Sequence, residues 1–242
     1  MGRNNLPEDC VRISPVSDNN SLLLASNSPR RRELLALGGW IFNVEVAEVD
    51  ERLEPGESPA NYVLRLAKSK AYASAQRAHP GHIIIAADTS VVDGNNILGK
   101  PANMAEAVTM LKQLRGHTHQ VYTGIALLRV RDGYLLTDMC ITDVPMRAYS
   151  DTEINEYVMT GDPLDKAGAY AIQHSRFQPV EYLRGCYASV MGLPMCHIVR
   201  TLRRMDVIPA ADVPGNCQTT LRYHCPVSRL ILRSEQVSQG EG

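Results

Sequence analysis

Hydrophobic and polar positions alternate between two rhythms along this chain. Leu22, Leu23, Leu24 and Ala25 make a short unbroken apolar run that stops at Ser26, Asn27 and Ser28. That pattern predicts a buried strand; the three small polar residues can cap a helix, Pro29 suits its first turn, and Glu33, Leu34 and Leu35 continue it. Residues 41–49 alternate as a second strand, and residues 50–59 read as an acidic loop broken by prolines. Ser58 is placed to cap a helix over residues 59–78, with Tyr62, Leu66 and Ala73 on its buried stripe and Lys68 and Lys70 on other faces. The wholly apolar run 83–87, entered through Pro80 and Gly81, predicts a central strand covered on both faces and ending at Asp88, Thr89 and Ser90. Val91 and Val92 follow, then a hairpin-type turn at 93–96 and an amphipathic helix over 104–115 stopped by Gly116.

Residues 120–130 and 134–145 predict an antiparallel ribbon. Asp151 is expected to cap a helix running to residue 160, and Gly161, Asp162 and Pro163 break it into a polar loop. Residues 180–183 and 187–190 read as further strands, and 194–205 as a last helix. Beyond Asp206 the order signal weakens, with 228–233 as an extra strand or helix. Residues 1–20 mix Pro, Asn, Ser and charge and read as a flexible arm. The expected division is therefore an arm over 1–20, one domain over 21–206 and an extension over 207–242, with the domain built as an α/β fold: a mixed twisted sheet with flanking helices.

Composition narrows the functional classes. A chain of 242 residues that is 44% hydrophobic can bury a sizeable core. Its 25 Lys plus Arg against 26 Asp plus Glu give a net charge of −1, which recommends neither a nucleic-acid polymer nor an anionic membrane as partner. No apolar run approaches the roughly 20 residues needed to span a bilayer, so a cytoplasmic protein is expected. Cys10, Cys140, Cys186, Cys196, Cys217 and Cys225 lack metal-ligand spacing and fit reduced thiols, Cys217 with Cys225 being the one conceivable pair.

Chemistry-bearing residues collect where apolar strands end. Ser26 to Arg32 bring a helix N-terminus and three arginines to one junction, a natural anion site. Of the three, Arg30 is expected to touch the anion, Arg31 to assist and Arg32 to be solvated. Asp88 puts a carboxylate at the end of an apolar strand with no packing benefit, and Asp50, Glu51 and Lys100 sit at comparable turns. Cations and isolated carboxylates in one cleft are what polyphosphate hydrolysis needs. His117 and His119 lack a third ligand nearby and read as turn and strand-start residues. Tyr157, Tyr170 and Trp40 read as packing residues, with Tyr170 also near enough to the Asp165–Lys166 loop to line a pocket.

Eight ordered motifs carry a family resemblance: A-S-N-S-P-R-R from Ala25, V-D-E from Val49, R-L-A-K-S-K-A from Arg65, A-A-D-T from Ala86, G-K-P from Gly99, H-Q-V-Y-T-G from His119, D-K-A-G-A-Y-A-I-Q from Asp165, and V-M-G-L-P from Val190. In these the chain resembles the Maf-type nucleoside triphosphate pyrophosphatases, also called septum formation proteins. The resemblance implies a fold related to the inosine triphosphate pyrophosphatases, with two lobes around a cleft, a homodimer, and Mg²⁺ or Mn²⁺ as helper. It implies hydrolysis of a nucleoside triphosphate to monophosphate and pyrophosphate, with Asp88 as proton acceptor, Lys70, Lys100 and Glu51 as polar cleft residues, and Arg30, Thr89 and Gln173 tied to substrate choice. Ser26 and Arg31 are expected to join them in binding, and Asp88 with Glu51 to hold the metal.

Asp88-Thr89 together with residues 165–173 resemble the branch that prefers dTTP and UTP. Alternatives are a pyrophosphatase for 7-methyl-GTP or another modified nucleotide, and a non-catalytic nucleotide-binding regulator of cell division. Two departures from the family pattern stand out: Ser69 where an acid is common, and Cys186 where serine is common.

Overall fold

The first apolar run forms β1 (Ser21–Leu24) in a computed structural model that describes residues 21–46, 48–234 and 238–239. Cys10 and the rest of residues 1–20 lie outside the described residues. The junction after β1 follows the sequence expectation: Ser28 caps α1 (Pro29–Ala36), its side chain accepting from the Arg31 N–H, with Pro29 in the first turn.

Only Phe42–Val44 of the expected second strand pair as β2, since β1 offers just Leu22, Leu23 and Leu24 as partners. Next come α2 (Pro59–Ala75), β3 (His82–Asp93), β4 (Asn96–Leu98), α3 (Met104–Leu114), β5 (Thr118–Arg129) and β6 (Tyr134–Pro145). Beyond the expected end at Ser90, β3 runs on through Val91, Val92 and Asp93 because β5 pairs with it from Ile83 to Val92. The seven strands, counting β7 (Ser238–Gln239), make one mixed sheet in the order β2-β1-β3-β5-β6-β7, with β4 hairpinned onto β3. β1 runs parallel to β2 and β3, and the remaining pairings are antiparallel.

Alternate residues of β3 serve opposite faces, as a strand buried on both sides requires. Ile84 and Ala86 meet Ala67 and Ala71 of α2. Ile83, Ile85 and Ala87 join a core that includes Leu34 and Leu35 of α1. Helix α2 buries Val63, Leu66, Ala67, Ala71 and Ser74, whereas Tyr62 and Ala73, expected on that stripe, are half-buried and Lys70 turns toward β3. The small stripe lets the helix lie close: a Cβ at Gly124 of β5 would come within 2.8 Å of the Val63 backbone.

Farther along, Ser150 rather than Asp151 caps α4 (Asp151–Val158), in a reciprocal capping box with Glu153. Two 3-10 turns (Asp162–Asp165 and Ala167–Ala169) occupy the loop that follows. A further apolar cluster gathers Val91, Val121 and Val144 with α3, α4 and these turns. Residues 180–183 contribute a single bridge, Val180 to Met146, and 187–190, expected as a strand, form the one-turn helix α5 (Tyr187–Val190). Then come α6 (Met195–Arg203), α7 (Val213–Leu221) and α8 (Ser228–Arg233), the last two past the point where the order signal weakens. Cys217 and Cys225 are free thiols, as are Cys140, Cys186 and Cys196.

Candidate active site

Asp88 leaves β3 on the α2 side and is 8% exposed. Its Oδ1 accepts a 2.7 Å bond from Lys70 Nζ, which α2 projects onto the strand. Lys70 simultaneously lies 2.7 Å from Glu51 Oε1, so one ammonium joins two carboxylates. The acidic loop carrying Glu51 is strapped to α2: Tyr62 Oη donates to the Glu51 carbonyl at 2.7 Å, and Arg65 grips Glu57 with two 2.7 Å bonds.

Burial separates the two acids. Desolvation pushes the Asp88 carboxyl above its ordinary range, against the pull of Lys70 and Arg31. Desolvation also acts to raise Glu51, but Lys70, then Lys100 and Arg31, outweigh it and hold that carboxyl low. A carboxylate whose proton affinity is raised while Lys70 holds it in place suits proton acceptance from water.

The junction after β1 supplies the opposite wall. Arg31 Nε donates to the Gly192 carbonyl at 2.8 Å, one terminal nitrogen to Ser26 Oγ at 3.3 Å and the other to Thr89 Oγ1 at 3.2 Å. Burial lowers its pKa from the usual arginine value, with Asp88 opposing that shift. Arg31 therefore braces the wall, Arg30 lines the cleft, and Arg32 is exposed as expected. Ser26 is buried and also accepts from the Ser28 N–H at 3.2 Å.

Gly192 crowds this wall: with φ at +109°, a Cβ there would lie 3.2 Å from Arg31 Nε and 3.4 Å from Thr89 Oγ1.

On the Thr89 side of β3 lies a cleft of about 630 Å³, open to solvent and lined by Arg30, Thr89, Lys100, Lys166, Tyr170 and Gln173 among others. Lys100 and Gln173 are exposed there. The loop bearing Lys100 is tied to the 3-10 turns by a 3.0 Å bond from Gly168 N–H to the Gly99 carbonyl.

Of the expected site residues, Arg30, Thr89, Lys100 and Gln173 line the cleft and Ser26 and Arg31 brace it. Glu51, Lys70 and Asp88 form a separate ion cluster on the α2 side of β3, near enough for Asp88 and Glu51 to feel the charge of Arg31. Sequence reading gave no role to Lys166, which is 8% exposed and bonded to Asp162 and Asp165, nor to Thr123 and Gly192. The quoted motifs contain all three, which was the available signal. His119 is a buried strand residue whose Nε2 meets Tyr170 Oη at 2.8 Å. Among the described residues no group of three or more His, Cys, Asp or Glu forms a metal site.

The class defined by this fold and site is an α/β protein with a cation-lined cleft and a buried carboxylate. A family model described as Maf-like protein matches residues 21–205, and the chain belongs to that family. A relative from Geobacter metallireducens, named dTTP/UTP pyrophosphatase, is 47% identical over 194 residues, covering 80% of this chain and 100% of the relative. Proteins of the same name from Anaeromyxobacter dehalogenans (47% over 185 residues; 76% of this chain, 93% of the relative) and Dehalococcoides mccartyi (38% over 221 residues; 90% and 98%) are also similar.

Proposed function

We propose that this protein hydrolyses dTTP and UTP to the nucleoside monophosphate and pyrophosphate, removing surplus or noncanonical nucleotides. The observation that carries the reading is the buried Asp88 carboxylate, held 2.7 Å from Lys70 beside a cleft lined by Arg30, Lys100, Thr89 and Gln173. Water attacks the α-phosphorus, its proton passes to Asp88, and the bond from the α-phosphorus to the bridging oxygen breaks as pyrophosphate leaves. Lys70 holds Asp88 against Glu51. Arg30 and Lys100 neutralise phosphate charge, Ser26 and Arg31 shape the wall they work against, and Thr89 with Gln173 meets the pyrimidine edge.

Asp88 and Glu51 offer hard oxygen donors, and Lys70 engages only one oxygen of each. That donor set fits Mg²⁺ or Mn²⁺ arriving with a triphosphate, since Mg²⁺ commonly takes one or two carboxylates plus substrate phosphates. Such an ion would supply charge neutralisation at the phosphates. In this reading the cleft divides a base built on β1, β3 and α2 from a smaller lobe of α3, α4 and the 3-10 turns, as in inosine triphosphate pyrophosphatases. We read the molecule as a cytoplasmic homodimer; among the described residues no helix is long and apolar enough to cross a membrane.

Incubation with dTTP, UTP, CTP, 7-methyl-GTP and ITP in Mg²⁺ tests the activity. Pyrophosphate release from dTTP and UTP is expected and should stop with EDTA. Orthophosphate release, or turnover of neither pyrimidine, overturns the reading.

A further inference from the structure

Three hydroxyl and carbonyl groups behind the cleft can be accounted for proton by proton. Thr89 of β3 and Thr123 of β5 are directly opposed in the sheet, and their Oγ1 atoms lie 3.0 Å apart. Thr123 Oγ1 also lies 2.9 Å from the Ser189 carbonyl at the start of the turn that carries Gly192. A carbonyl only accepts, so the single hydroxyl proton of Thr123 goes to Ser189. Thr89 is then the donor in the threonine pair. The second lone pair of the Ser189 carbonyl is filled as well, by the Gly192 N–H at 2.8 Å.

On its other side Thr89 Oγ1 accepts from Arg31, a group that can only donate. With its proton and one lone pair engaged, the Thr89 hydroxyl retains one lone pair, and Thr89 lines the cleft. A hydroxyl fixed in this way repels phosphate oxygens and attracts an N–H. Uracil and thymine carry such a donor at ring N3, between two carbonyls; cytosine carries an acceptor at the same position.

We propose that Thr123, fully buried and behind the cleft wall, is a positioning residue that acts with the Ser189 carbonyl to lock Thr89 as an acceptor for the N3–H of a uracil or thymine base. The inference rests on the pyrimidine triphosphate reading above and supplies its atomic basis for rejecting cytosine. Gln173, whose amide both donates and accepts, meets a flanking carbonyl of the same base edge. Replacing Thr123 with valine frees the Thr89 proton to point into the cleft, where it suits the cytosine acceptor instead. Serine at position 123 keeps the relay intact.

The experiment measures kcat and KM for UTP and CTP with wild type, Thr123→Val and Thr123→Ser, and for 3-methyl-UTP with wild type. Expected is a fall on the order of tenfold in the UTP-to-CTP ratio of kcat/KM for Thr123→Val, carried mainly by KM, with the ratio retained in Thr123→Ser. Wild type is expected to lose about tenfold or more of its kcat/KM when N3 is methylated, a readout independent of whether the valine variant folds. An unchanged ratio in Thr123→Val, an equal loss in Thr123→Ser, or undiminished turnover of 3-methyl-UTP overturns the inference. Wild type that turns over UTP in those cases leaves the activity reading standing; wild type that turns over no pyrimidine overturns both.

Discussion

Lys70 is the residue on which the reacting side of the site depends. Its side chain is 15% exposed and that of Asp88 11%, whereas that of Glu51 is 55% exposed, so only the Lys70–Asp88 contact is largely shielded from water. Removing the negative charge of Asp88 while keeping its shape should stop proton acceptance and leave the cationic wall intact. Asp88→Asn is therefore expected to lower kcat by two to four orders of magnitude, with nucleotide affinity by equilibrium binding retained. Two other buried residues add to the loss of stability in acid. Desolvation lowers the pKa of both His119 and His197 from 6.5 to about 4. The unfolded chain takes up these protons below pH 6.5 and the folded one only near 4, so stability falls as pH drops across that window. The loss is roughly 2 to 3 kcal/mol for each histidine. Urea midpoints measured from pH 7.5 to 4 should trace the fall, and His119→Gln should remove the His119 share of it while leaving that of His197.

Elements enter through how closely they approach. Helix α2 delivers Lys70 only because Gly124 lets it lie on β5, and Gly124→Ala would drive a methyl to 2.8 Å from the Val63 backbone. That variant is expected to unfold at lower temperature by an amount equivalent to about 1 to 3 kcal/mol, and to lose turnover beyond what the lost folded fraction explains. Caps and apolar runs were legible in the sequence: Ser28 and Ser58 cap α1 and α2 as expected, and the run 83–87 lies in the central strand. What escaped depended on distant partners. Nothing in three consecutive arginines distinguishes the one that reaches Gly192, 161 residues away. The facing of Lys70 was hidden from helical periodicity and came only through the family resemblance, because its position on α2 acquires meaning only against β3. Residues 187–190 misled because four residues carry too little period to separate a strand from a helical turn.

For the molecule as a whole, the segment after α6 is part of the core. Val213 is buried in the same cluster as Ile85 and Leu35, and Leu221, Val227 and Leu232 pack against it. Arg200 fastens that segment to the sheet by bonding Asp138 of β6, the Ile231 carbonyl and Ser234. The Arg200 and Asp138 side chains are 11% and 9% exposed, so Arg200→Met strands a buried carboxylate and should cost about 3 to 5 kcal/mol by chemical denaturation. Adjacent residues of β3 also divide labour, Asp88 facing α2 and Thr89 the wall formed by Arg31 and α5. In the proposed function, substitution at the second position changes the base-facing hydroxyl while leaving the Lys70–Asp88 contact on the other face in place. A one-residue insertion or deletion upstream in the strand would instead hand the hydroxyl to the reacting side and the carboxylate to the recognition side. Selectivity in the proposed function therefore changes by point substitution on this strand, whereas a one-residue change in its length exchanges the two roles.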